Sequence, residues 1–174
     1  CSAPGLQERS RTMNKKEEFL QACIAQEQKY QFDSFSRDDV WELGCDLVEA
    51  TRSFEGPLAV EIDLNGVMVF RYYPAGTCAY HEQWLQRKRR TVCLTEKSSL
   101  RVFAELDAKG ASMQQEMLLD PKDYANCGGG FPIRLRGGCM IGFIGVSGLE
   151  HTRDHAALLA GLDRFFARHQ QTRA

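Results

Sequence analysis

Hydrophobic and polar positions follow two rhythms along this chain of 174 residues. From Asn14 to about Tyr30, Phe19, Leu20, Cys23 and Ile24 recur at helical spacing, and Glu17 and Glu18 sit near the positive N-terminal end. Asn14 is placed to cap that helix. A second helix is expected from Ser36, with Asp38 and Asp39 in its first turn and Val40, Leu43, Gly44, Leu47, Val48, Thr51 and Phe54 on one face. Gly56-Pro57 ends it, and the period drops to two: Leu58, Val60, Ile62 and Leu64 alternate with Ala59, Glu61 and Asp63. Asn65-Gly66 then supplies two residues suited to positive φ, the strongest short hairpin signal, and residues 67–73 return as an antiparallel strand.

Helical spacing resumes from about Ala79 to Leu94, with His81, Leu85, Lys88 and Val92 on one side and Trp84 beside them. Ser98 or Ser99 starts a further helix through Lys109, stopped by Gly110, and residues 120–124 read as a capped turn. Gly128-Gly129-Gly130 leads into a second hairpin, Phe131 to Arg136 and Cys139 to Ser147, around Gly137-Gly138. A last helix from about Glu150 to Arg168 buries Leu158, Leu159, Leu162, Phe165 and Phe166, and Ser147 with Glu150 reads as its capping box. Antiparallel hairpins argue against a doubly wound nucleotide binder. The element order predicts one α+β domain over residues 13–170, an antiparallel sheet of two hairpins covered by helices. Residues 1–12 have no apolar period and are expected to be a disordered tail or a remnant of expression.

Composition narrows the function classes. A net charge of −1 supplies no global field toward nucleic acid, and no apolar run reaches the length that spans a bilayer. Neither nucleic acid nor a membrane is therefore expected as a partner. Seven cysteines form no CxxC pair, and several occupy apolar positions, which suits reduced thiols in the cytoplasm.

Three features carry candidate chemistry. The glycine run lets backbone approach a ligand and point N–H groups at an anion; it reads equally as a strand entry with unusual φ and ψ. His155 precedes Leu158 by three residues and leans inward near a helix N-terminus, where the dipole favours a neutral imidazole; it is a candidate ligand or base, or a hydrogen-bonded half-buried histidine. His81 is a candidate axial ligand, or a partner to Glu82 or to backbone. His151 and His169 read as exposed. In Arg87-Lys88-Arg89-Arg90, successive residues lie about 100° apart, so the four cations cannot face one way. Lys88 should fall on the His81–Leu85 side and Arg87 near Trp84. Binding a carboxylate or phosphate competes there with a solvated or intersubunit salt-bridging face. Gly142 and Gly145 need something packed on them. Spacing flags no nucleophile and no metal site, so catalytic residues stay unassigned. The expected ligand site comprises His81, Trp84, Arg87, Lys88, Gly129, Gly130, Phe131 and His155, and would take a small anionic or planar ligand.

The motifs GGGFPI at 128–133 and IGFIGVSG at 141–148, with Asp154 and Gly161, resemble the signature of the haem-degrading-domain (DUF336) superfamily. EQWLQRKRRTV at 82–92, Ser98-Ser99 and LDPKDYA at 119–125 resemble its uncharacterised cytoplasmic branch, and the likeness runs from about Asn14 to Phe166. The resemblance implies a profilin-like α+β fold and a homo-oligomer. It also makes haem a possible cofactor, because some relatives bind haem and the family name credits the domain with haem breakdown. Three readings stay open: a cytoplasmic small-ligand-binding protein, an enzyme binding or degrading haem or a related tetrapyrrole, and a symmetric interaction scaffold.

Overall fold

The computed structural model describes the backbone of residues 4–171 and the side chains of residues 13–169. Helix α1 spans Pro4–Lys29, so it begins ahead of Asn14. Asn14 does not cap it: its side-chain amide donates to Glu18 one turn on. The backbone of residues 4–12, where a tail was expected, continues the helix, and residues 1–3 lie outside the described residues. Helix α2 spans Arg37–Thr51 and starts as its sequence requires. Ser36 accepts from the Asp39 N–H, and the Asp39 carboxylate accepts from the Ser36 N–H, a reciprocal capping box.

Strands β1 (Ala59–Leu64) and β2 (Val67–Tyr72) form the first hairpin, with Asn65 at φ 52° and Gly66 at φ 79°. Two positive φ angles match the right-handed twist of the paired strands, as the Asn-Gly signal demands. Helices α3 (Ala79–Thr95) and α4 (Ser99–Lys109) follow, α4 capped by Ser98 and ended by Gly110 at φ 67°. A one-turn helix α5, Met113–Met117, opens on a Ser112–Gln115 capping box that periodicity did not flag, because five residues are too few to show a period. Strands β3 (Gly130–Arg134) and β4 (Met140–Ser147) form the second hairpin, and α6 spans His151–Gln171.

The two hairpins join into one antiparallel sheet of order β2-β1-β4-β3. Helices α2 and α6 cover one face over a core of Val60, Ile62, Ile144, Val146, Leu158 and Leu162, and α3 lies on the other. Because β1 is central and helices lie on both sides, all six of its residues are buried. Its alternation is real, but its polar side is dry: Glu61 and Asp63 sit under α3. Glu61 Oε1 accepts from Arg71 at 2.9 Å and the Tyr73 hydroxyl at 2.6 Å, and Asp63 pairs with Arg89 at 3.4 Å. Buried carboxylates persist where cations and hydroxyls compensate them. Helix α3 also answers what packs on the glycine of β4. A Cβ at Gly145 would lie 2.6 Å from the Leu85 side chain.

Candidate functional site

The last helix does not begin on Ser147. Glu150 accepts from the Thr152 N–H, and its carbonyl receives the Arg153 and Asp154 N–H groups. Asp154 in the first turn turns back instead, and its Oδ1 accepts from the N–H groups of Gly148 and Leu149 at 3.1 and 2.8 Å. This pins the turn between β4 and α6. Its other oxygen takes Lys88 Nζ at 2.7 Å, and the same ammonium donates to the Val146 carbonyl at 2.9 Å. Lys88 is 1% exposed and Asp154 2%. A buried ion pair therefore ties α3 to the seam where β4 becomes α6.

Over this pair lies a pocket of about 360 Å³. Tyr80, His81 and Trp84 from α3 form one wall, Ser147 to Leu149 and His151 the other, and Cys127 borders it. The Tyr80 and Trp84 rings meet edge to face at 6.1 Å. Burial pushes the Cys127 thiol pKa upward, so it is a poor nucleophile.

The structure brings His81, Trp84 and Lys88 together on this pocket and puts the other expected site residues behind or beside it. Arg87 turns away, its guanidinium 5.0 Å from the Trp84 ring and its Nε donating to the Lys122 carbonyl. Arg89 pairs with Asp63 and Arg90 with Asp123. All four cations of the run thus hold the fold's own groups. Phe131 is 1% exposed and belongs to the core beside Tyr30.

The glycine run does not offer its N–H groups to an anion. Gly128 N–H donates to His151 Nδ1 at 3.2 Å, Gly129 N–H to His155 Nδ1 at 3.4 Å and Gly130 N–H to Ser99 Oγ at 3.0 Å. The glycines serve close approach. At Gly129, with φ 99°, a Cβ would stand 2.3 Å from the Val146 carbonyl oxygen and 2.7 Å from Lys88 Nζ.

His155 is buried, and its Nε2 meets Gln26 Oε1 at 3.0 Å. Since Nδ1 accepts, the proton rides on Nε2. Burial above all, then the Lys88 charge and His151, push its pKa from 6.5 down to about 3. The folded state therefore binds fewer protons than the unfolded state across that interval. The resulting stability is complete above about pH 6.5 and is lost as pH falls toward 3, at up to about 1.4 kcal/mol per pH unit. Urea midpoints between pH 7 and 5 should fall in the parent and fall less in His155→Gln; equal slopes would remove this assignment.

Two histidines depart from the exposed positions expected of them. His151 lines the pocket and packs on Phe103 at 5.0 Å, and His169 is half-buried with its ring stacked 4.0 Å from Phe165. His151 was missed because it is the first residue of the helix, before any period shows. Among the described residues, no group of three or more His, Cys, Asp or Glu side chains is placed to hold a metal ion, and no helix is long and apolar enough to cross a membrane.

The family model for haem-degrading HbpS-like proteins matches residues 35–163. A UPF0303 protein of Streptomyces coelicolor is 36% identical over 140 residues, covering 80% of this chain and 89% of that protein. A UPF0303 protein of Yersinia pestis is 34% identical over 146 residues, covering 84% and 85%. Among solved structures, the Ybr137w protein superposes with a TM-score of 0.79 at 26% identity, covering 87% of this chain and 89% of that one. A PduOC:heme complex gives 0.61 at 19% identity over 75% and 94%, a likeness of fold. With the fold and the matched span in agreement, this chain belongs to the haem-degrading HbpS-like family and is similar there to the UPF0303 proteins.

Proposed function

We propose that this protein binds a small planar ligand in the pocket over the Lys88–Asp154 pair, between Trp84 and Tyr80 on one side and His151 on the other. The observation that carries the reading is this ion pair, buried at the floor of an aromatic-walled cavity. Clefts that join apolar walls to a few fixed polar groups are the usual form of small-molecule sites. Gly129, Gly130 and His155 hold the floor from behind, and Phe131 anchors their strand. Of the two ligand types expected, the planar one is favoured, because Asp154 already neutralises Lys88 and Arg87 faces elsewhere.

Haem, implied by the family, fits the candidate histidines poorly. His81 Nδ1 accepts from the Cys78 N–H at 3.0 Å, His151 Nδ1 from Gly128 and His155 Nδ1 from Gly129. At His151 and His155 the nitrogen that accepts from backbone is spent and the proton sits on Nε2, and at His81 the Nδ1 is engaged by Cys78, whose carbonyl also lies 3.3 Å away, so none of the three rings is set up by its surroundings to present Nε2 to iron. Added haem is expected to give no Soret shift that His81→Ala removes; such a shift would restore the haem reading.

The reading extends to a homo-oligomer acting in the cytoplasm. Exposed Trp41, Val67 and Tyr72 near the β2 edge support a subunit contact. Native mass spectrometry of protein purified from its own host tests both parts, reporting subunit number and any retained small mass. The mass should be lost from Trp84→Ala. A monomer would overturn the assembly, and a mass retained equally by Trp84→Ala would overturn the site.

A further inference from the structure

Two polar groups on the inner wall of this pocket keep hydrogen-bonding capacity that the fold does not use. Ser147 is 4% exposed and lines the cavity, and its hydroxyl has no hydrogen-bond partner among the described residues. Lys88 Nζ carries three N–H bonds. Asp154 Oδ2 and the Val146 carbonyl take two of them, and the third has no acceptor among the described residues. The two groups belong together, because Ser147 directly follows the residue whose carbonyl receives Lys88.

Polar capacity that a fold leaves unused at a cavity wall is open to a ligand, so this pair specifies what should enter it. The pair offers one fixed donor, the ammonium N–H, beside one hydroxyl that accepts as well as donates. The charge of Lys88 is matched by Asp154 at 2.7 Å, so the floor carries no net formal charge. A ligand carboxylate would gain Lys88 only by approaching the Asp154 carboxylate as well. The walls supply flat apolar faces in Trp84 and Tyr80. A volume of about 360 Å³ is near the small end of ligand sites and suits two or three fused rings.

We infer that the ligand is an uncharged planar molecule with an amide or lactam edge, its carbonyl oxygen accepting from Lys88 Nζ and its N–H donating to Ser147 Oγ. This rests on the pocket reading above. It goes beyond it by fixing the ligand's charge and the donor–acceptor order of one edge.

Three probes of one shape separate these claims by calorimetry: 2-naphthamide, naphthalene-2-carboxylate and 2-isopropylnaphthalene. The amide should bind on the order of tenfold tighter than the other two, the size of one or two well-made buried hydrogen bonds. Ser147→Ala, which deletes one hydroxyl and leaves the ion pair intact, should erase most of that preference. Trp84→Ala should weaken all three. If the carboxylate binds best, if the hydrocarbon equals the amide, or if Ser147→Ala keeps the preference, the ligand class is wrong while the pocket stands. If no probe binds, or Trp84→Ala changes nothing, the pocket reading falls with it.

Discussion

Lys88→Met should lower folding stability by about 3–5 kcal/mol, the scale for removing one partner of a buried pair. Methionine fills nearly the same volume, so the loss is electrostatic. Asp154 would keep the Gly148 and Leu149 N–H groups but lose the cation 2.7 Å away, in a setting where it is 2% exposed. The Val146 carbonyl would lose a donor as well. The double variant Lys88→Met/Asp154→Asn removes both charges, and the amide oxygen still accepts from the turn, so it should recover about half of the loss or more. Urea unfolding of the two variants decides the point. A single variant within about 1 kcal/mol of the parent would mean that the pair contributes nothing to the seam.

Gly129→Ala should be worse, upward of about 4 kcal/mol, and should show as loss of the folded protein in circular dichroism and gel filtration. Two costs coincide there. The backbone sits at φ 99°, which L side chains rarely adopt, and the added carbon would press on a carbonyl oxygen of the neighbouring strand. Backbone cannot swing aside as a flexible side chain can. The informative control is Gly66→Ala. It also has a positive φ, but open space lies where its Cβ would go, so its cost should stay near 1 kcal/mol. A folded, near-parental Gly129→Ala would show that the seam is looser than its geometry states.

The contrast between these glycines shows what could be read from the chain alone. Asn65-Gly66 is a local instruction: two residues choose a turn, and the turn sets the register of the strands beside it. Gly129 is marked only by being glycine. The groups that require it are Val146 O and Lys88 Nζ, which the chain brings together only after folding. The same limit governed the rest of the glycine run. Its N–H groups are received by His151, His155 and Ser99, 23, 26 and 31 residues away, so a run that resembles an anion cradle is filled by the protein itself. The basic run behaved alike. Helical spacing placed Lys88 inward and Arg87 by Trp84, and both positions hold. Whether those cations meet solvent, a ligand or a carboxylate depended on partners as far off as Asp154, 66 residues on.

What the sequence determined by itself is what near neighbours decide. The capping box of Ser36, the Ser98 cap, the Asn-Gly hairpin and the switch of period from helix to strand gave an antiparallel α+β domain, and its motifs gave the family. Only the tertiary structure decided that the polar side of β1 is buried under α3, that Asp154 caps a turn while holding Lys88, and that His151 belongs to the pocket. The reason is physical. Backbone conformation is set largely by interactions within a few residues, whereas the dielectric and the hydrogen-bond partners of a charged or polar side chain are set by whatever the fold packs against it.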